Sequence, residues 1–410
     1  MEIASAEKIS SLGGPSMWIE WGNLARQNKA CNLGSGFPNF SLHPDLKEEL
    51  HTAAENPVTC WYPRAQAHPR LAEELVATYS PLFQREILPT ETIVTTGAYQ
   101  GIHWTFEAFV QAGDEVIVFD PLFDAYIADS IITGAKYVSV PLMLESNSWV
   151  LDKELFANSF NSRTKMIVLN TPHNPTGKVF KRDEIELIAK LSKEYNCLVL
   201  ADEVYDRFVF GGYNHIRIAT LPGMWERTIT LCSAGKMFGV TGWRLGWAIG
   251  AANLIEKLFR VCICDTFGTS TLMQEAIAGM LQRQRMCSPP KESYFIWVEK
   301  IFAENYSKLK KAFIDANMPA VHTQGGFFLI VDCSKRKFDF QDSSEYKSSD
   351  DHLDKKIARG IVNEFKLALL PLSLFYSPES KVRPTSYLRV CFAKSSETID
   401  QAVEIIKTFH

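Results

Sequence analysis

A lysine, Lys236, stands among small residues in the stretch SAGKMFGVTGWRLG, eight positions before Arg244. Lysines belong mostly on solvated faces, so a long cation where Gly, Ala and Ser let backbone come close asks for a ligand. A deprotonated lysine amine attacks carbonyl carbon, and an arginine fork is a permanent cation for an anionic group. Polar residues recur at similar places. Asn174 follows the apolar run MIVLN, and Asp202 and Tyr205 follow CLVL. Ser233 ends TITLCS, Gly97, Ala98 and Tyr99 follow TIVTT, and Phe123 comes just after EVIVFD.

One cofactor needs every one of these residue types. Pyridoxal 5′-phosphate requires a lysine for its aldehyde, the role open to Lys236, and a carboxylate such as Asp202 to keep its ring nitrogen protonated. Its ring oxygen takes donors, which Asn174 and Tyr205 supply. Its phosphate suits a helix start with small residues, here Gly97, Ala98 and Tyr99, assisted by Ser233 and Arg244. Phe123 offers a face for the ring. Each residue alone has a plainer reading. Asp202 could cap a helix, Asn174 before a proline is a turn signal, and Phe123 and Tyr99 could be core aromatics. The force lies in the set.

Other chemistries find less. SLGGPS and NLGSGFPNF do not complete a dinucleotide fingerprint, Gly235-Lys236 lacks the remaining residues of a P-loop, and no GxSxG elbow occurs. The nine histidines form no HExxH pair, and Cys262 and Cys264 lack a second pair at metal-ligand spacing. A net charge of −4 leaves no basic stripe for nucleic acid.

The elements that must position these residues alternate between short apolar runs and helical patterns. Residues 92–96, 115–120, 137–142, 165–170, 197–202, 228–233 and 246–251 read as buried strands. The helix after 92–96 carries Ile102, Phe106, Phe109 and Val110 on one stripe, and 182–195 is amphipathic through Ile185, Ile188 and Leu191. Such alternation predicts an α/β chain with a mostly parallel sheet between helices, and a ligand site outside the carboxyl ends of its strands. With 410 residues, 46% apolar and 22% charged, the chain is long enough for more than one domain. Residues 51–290 are expected to form the large domain, with 1–50 and 291–410 pairing as a smaller one. The polar run 337–356 reads as a solvated loop entering a helix. No signal peptide or membrane span is apparent, and the scattered cysteines suit a reducing, cytoplasmic setting.

At these residues the chain resembles class I, fold type I aminotransferases that depend on pyridoxal phosphate. NLGSGFPNF, VLNTPHNPTGKVF, ADEVYD, LPGMWERTITLCSAGKMFGVTGWRLGW and YLRVCFAKSSETID are similar to the kynurenine aminotransferase, glutamine transaminase K and cysteine-conjugate β-lyase subfamily. The resemblance implies the Schiff-base role for Lys236, the ring-nitrogen role for Asp202, and phosphate contacts from Ala98, Tyr99, Ser233 and Arg244. It further implies that Arg389 binds the substrate carboxylate, that Gly36 approaches substrate through its backbone, and that Trp18 and Tyr99 line the side-chain pocket. Without the resemblance, a structural ion pair is the alternative for an arginine in an apolar strand. Tyr62 and Phe267 would reach the partner's site in a homodimer. Two departures, Ala67-His68 and Gly268, fall where that shared pocket is expected. The implied reaction is ping-pong transfer of an amino group from aromatic, sulfur-containing or glutamine-type amino acids, kynurenine among them, to a 2-oxo acid. β-Elimination from cysteine S-conjugates and a non-catalytic, cofactor-retaining regulator are the rival readings.

Overall fold

Short runs rich in Val, Ile and Leu become strands, most of them buried on both faces, in the computed structural model of residues 5–12, 16–288, 293–340, 352–380 and 382–409. In chain order they are β1 (Cys31–Asn32), β2 (Thr92–Thr95), β3 (Glu115–Asp120), β4 (Lys136–Glu145), β5 (Ser148–Leu151), β6 (Thr164–Asn170), β7 (Leu198–Asp202), β8 (Thr228–Ser233), β9 (Gly246–Gly250), β10 (Phe328–Asp332), β11 (Leu367–Ala368), β12 (Leu370–Pro371) and β13 (Tyr387–Cys391). Every residue of β2, β3, β7, β8 and β9 is buried. Seven strands fall where the sequence predicts them, within a few residues. The hairpin strand β5 and the two-residue strands β1, β11 and β12 are not predicted from the sequence.

Eight strands form one sheet in the order β2-β9-β8-β7-β6-β3-β4-β5. β8, β7, β6, β3 and β4 pair in parallel, whereas β9 is antiparallel to both β2 and β8, and β5 is antiparallel to β4. All except β9 and β5 therefore point the same way, and their carboxyl ends share one edge. That edge carries Thr95, Asp120, Asn170, Asp202 and Ser233, and β9 begins there just after Arg244.

Helices cover the sheet for local reasons. Arg182–Glu194 starts where the Glu184 carboxylate accepts from the Lys181 backbone N–H at 2.7 Å, and it buries Ile185, Ile188 and Leu191. Asn196, at φ 52°, follows its end. The helix after β2 runs Gly97–Phe109 and buries Ile102 and Phe106, with Phe109 half-buried. A second sheet, β10-β13-β12, comes from the last third of the chain, and β1 pairs in parallel with β11. Residues 341–351 of the polar run lie outside the described residues, and a helix, Leu353–Gly360, follows. No helix among the described residues is long and apolar enough to cross a membrane.

Candidate active site

A cavity of about 590 Å³ opens at the carboxyl edge of the large sheet. Trp18, Gly36, Ala98, Tyr99, Phe123, Asn174, Asp202, Tyr205, Ser233, Lys236, Arg244 and Arg389 all line it. Residues from eight separate stretches thus converge on one space.

Lys236 reaches it through a short helix, Ala234–Met237, capped by the Ser233 hydroxyl accepting from the Lys236 N–H at 3.3 Å. The small residues around it have a packing reason. A Cβ on Gly235 would meet the Thr241 Cα at 2.9 Å, so glycine lets the following turn fold back. The Lys236 ammonium donates to the Gly36 carbonyl at 2.8 Å and lies 5.9 Å from the centre of the Tyr205 ring. Burial pushes its pKa down to about 8; Arg389 and Arg244 add to this, while Cys391 and Asp202 oppose it. Below that value the charged form opposes folding, a cost relieved as pH rises from about 8 toward the ordinary lysine range. The free amine is the nucleophile. Capture of pyridoxal phosphate by the cofactor-free protein should therefore quicken roughly tenfold per pH unit up to about pH 8 and then level off. Stopped-flow absorbance across that window measures it, and a flat rate from neutrality upward would refute the assignment.

Asp202 ends β7 and is 5% exposed. No helix starts behind it among the described residues, so it is not a helix cap. Its Oδ2 accepts from the Tyr126 hydroxyl at 2.6 Å, and its backbone carbonyl accepts from Asn170 Nδ2 at 2.9 Å. Burial raises the Asp202 carboxyl, and the Tyr126 hydrogen bond works against that rise. A cationic ring nitrogen opposite it would hold it ionised. Behind the turn, Arg217 pairs with both Glu203 and Asp206, bracing the segment that carries Asp202 and Tyr205.

Asn170 orients the next loop, its Oδ1 accepting from the Asn174 N–H at 2.7 Å. The Asn174 side chain in turn accepts from Arg389 at 2.8 Å. Arg389 is fully buried, and among the described residues its terminal nitrogens meet an amide and a carbonyl rather than a carboxylate. Its other terminal nitrogen donates to the Gly34 carbonyl at 2.8 Å, and its Nε has no partner. Rings of Phe328 and Phe375 lie 4.1 and 4.5 Å from its Cζ. Burial pushes even this guanidinium down to about 10. No structural ion pair holds it among the described residues, Asp124 attracting it only from beyond ion-pair distance, and a buried arginine facing a cavity in that state is a receptor for an anion.

The opposite end suits a phosphate. The Thr96 side chain does not cap the helix Gly97–Phe109, which leaves first-turn N–H groups unpaired where Ala98 and Tyr99 line the cavity. Gly97 itself does not line the space. Its φ is +75°, and a Cβ there would meet the Arg244 guanidinium at 2.8 Å, so glycine makes room for the arginine. Likewise a Cβ on Gly246 would meet the Ala98 nitrogen at 2.7 Å. Phe123 meets Tyr99 edge-on at 5.8 Å. Trp18 donates its indole N–H to Asp124 at 2.9 Å. An amine, a facing carboxylate, amide and phenol donors, an aromatic face and an uncapped helix start with an arginine fit pyridoxal phosphate.

Tyr62 and Phe267 lie outside this cavity, packed edge-on against each other at 6.4 Å and 91% and 51% exposed. The departures near them have structural accounts. His68 turns toward Glu275, at 3.2 Å, and a Cβ on Gly268 would meet Pro63 at 2.9 Å. Sequence reasoning missed Tyr126, Asn170 and Phe328, which also line the cavity. Asn170 closes the run MIVLN and could have been found by the strand-end rule that found Asp202. Tyr126 and Phe328 carried no such signal.

This architecture, with its lysine-centred cavity at the strand ends, is that of a pyridoxal phosphate-dependent transferase of fold type I. The profile of the aminotransferase class I and II family matches residues 28–406, and the chain belongs to that family as a pyridoxal phosphate-dependent aminotransferase. Kynurenine–oxoglutarate transaminase 3 of Bos taurus is 37% identical over all of this chain and 91% of its own length. Kynurenine–oxoglutarate transaminase 1 of Rattus norvegicus is 34% identical, covering 96% of this chain and 95% of its own. The crystal structure of Bna3p from Saccharomyces cerevisiae superimposes with a TM-score of 0.93 at 28% identity, covering 100% of this chain and 99% of that one.

Proposed function

We propose that this aminotransferase takes its amino group from kynurenine and from other aromatic, sulfur-containing or glutamine-type amino acids, and passes it to a 2-oxo acid. The observation carrying this reading is that Lys236 and Arg389 face one apolar-walled cavity, with Trp18, Tyr99, Phe123 and Phe328 around them. When bound, pyridoxal phosphate supplies an aldehyde for the amine and a ring that withdraws electrons from the substrate α-carbon. The chain's residues do the rest. Lys236 holds the cofactor between turnovers and, once displaced, carries a proton from the substrate α-carbon as base and returns it as acid. Asp202, kept in place by Tyr126, holds the proton on the ring nitrogen. Asn174 and Tyr205 would hold the ring oxygen, and Phe123 would offer the ring an aromatic face. The first turn of Gly97–Phe109, with Ser233 and Arg244, takes the phosphate. Arg389 takes the α-carboxylate, with Gly36 beside it: a Cβ there would lie 3.6 Å from the guanidinium.

A homodimer is part of the proposal, because the exposed aromatic patch of Trp61, Tyr62 and Phe267 suits a second copy of the chain. So is a cytoplasmic setting, in keeping with nine free cysteines. The division into a large domain, 51–290, and a smaller one from 1–50 and 291–410 draws on two facts. The eight-stranded sheet lies wholly in the first, and β1 pairs with β11 in the second.

Mixing the cofactor-loaded protein with L-kynurenine and then with 2-oxoglutarate tests the reading. The visible absorbance should fall with the first and return with the second. No change with kynurenine, alongside a full response to another amino acid, would remove the substrate but keep the chemistry. From a cysteine S-conjugate, pyruvate with ammonium and the released thiol, in place of the 2-oxo acid that keeps the thioether, would instead mark elimination as the main reaction. No response to any amino acid would favour the non-catalytic reading.

A further inference from the structure

The loop after β1 is held in an unusual way. Four successive backbone carbonyls, Gly34 to Phe37, each accept from a cationic side chain. Arg389 takes Gly34 at 2.8 Å and Lys236 takes Gly36 at 2.8 Å. Lys394 takes both Ser35, at 3.0 Å, and Phe37, at 2.8 Å. Lys394 is 1% exposed, sits 4.3 Å from the centre of the Phe37 ring, and bonds to carbonyls rather than to a carboxylate among the described residues. A buried ammonium without a counter-ion is costly and is tolerated where its hydrogen bonds hold something in place. Here they hold the turn around Gly36, which lies against Arg389.

The three cations do not serve the loop equally through turnover. Lys236 must leave the Gly36 carbonyl whenever its amine is engaged by cofactor or substrate. Arg389 must share its fork with a carboxylate. Only Lys394, five residues beyond Arg389 and outside the cavity lining, is free to keep its bonds throughout. We propose that Lys394 is a positioning residue for substrate recognition: its ammonium clamps the Ser35–Phe37 turn so that Gly36 and Arg389 together present a preformed receptor for the substrate carboxylate. The inference rests on the assignment of Arg389 as the carboxylate receptor. It makes Lys394 act on binding of both the amino acid and the 2-oxo acid, and leaves cofactor binding alone.

The test uses the cofactor-loaded enzyme and 3-phenylpropanoate, a carboxylate with neither amino nor oxo group, as a competitive inhibitor. In K394M, inhibitor affinity should weaken about tenfold and KM for donor and acceptor should rise about tenfold, with kcat within about threefold of wild type. Cofactor affinity, from absorbance titration of the cofactor-free protein, should stay within about twofold. Should K394M not accumulate folded, K394Q is read the same way: it keeps N–H donors without the charge, and a weakening of at least about threefold is expected. Unchanged inhibitor affinity, or a loss of cofactor affinity matching the loss for inhibitor, would overturn the proposal. The second result would make Lys394 merely structural. R389A is the reference arm. Weak inhibitor binding by R389A with normal binding by K394M removes Lys394 alone, whereas normal binding by R389A removes the carboxylate assignment and Lys394 with it.

Discussion

Lys236→Ala protein is expected to lose transamination by at least about 10⁴-fold and, mixed with pyridoxal phosphate, to lack the visible band of a lysine-bound cofactor. Lys236 is the one lysine among the residues lining the cavity, so no second amine stands ready to replace it. Two roles vanish at once: the covalent tether, and the base that moves a proton between substrate and cofactor. Lys236→Arg separates chemistry from packing. A guanidinium still donates toward the Gly36 carbonyl, yet it stays protonated near neutrality and does not condense with an aldehyde. The arginine variant should thus fold like wild type and be as inactive as the alanine variant. Borohydride reduction of the wild-type holoenzyme followed by peptide mapping should place the adduct on Lys236. An adduct on another lysine, or turnover by Lys236→Ala above about one per cent of wild type, would end the assignment.

The second large effect is expected at Asp202. Asp202→Asn should lower kcat about 10³-fold while KM moves far less, because the charge facing the ring nitrogen matters most once electrons arrive from the α-carbon. The amide keeps an acceptor for the Tyr126 hydroxyl, now 2.6 Å from the carboxylate, so shape and hydrogen bonding survive. Burial already disfavours the ionised carboxylate here, and a positive ring nitrogen is the natural partner that would restore it. Steady-state kinetics with one amino donor, together with thermal melting, decide the matter. A kcat within about tenfold of wild type at unchanged stability would show that Asp202 does not hold the ring proton. Tyr126→Phe gives a milder companion. Removing the hydroxyl should cost kcat about tenfold through a less well oriented carboxylate.

Much of this site was legible because its residues are local events at strand ends. A polar side chain directly after a fully apolar run is visible in one dimension. In a sheet whose strands point one way, such ends also meet in space. Asp202 and Ser233 were found in that way, and Asn170 could have been, whereas Gly97 and Phe123 were found only by lying just past a strand end. Gly235 and Gly97 were visible as glycines, but their purpose was not. The reasons, a backbone turn against one and the Arg244 guanidinium against the other, are contacts between stretches far apart in sequence.

By itself the sequence determined the alternation of strand and helix, the chemistry of the lysine–aspartate pair and the family to which both belong. Those depend on residue type and on spacing along the chain. Only the tertiary structure decided that Arg389 forms no ion pair among the described residues, that Tyr126 steadies Asp202, that Tyr62 and Phe267 stay out of their own chain's cavity, and that Lys394 bonds to the Ser35–Phe37 turn. Whether a buried charge is paired or waiting for a ligand is a property of the space around it. That space is assembled from segments more than three hundred residues apart, as Lys394 and Phe37 are.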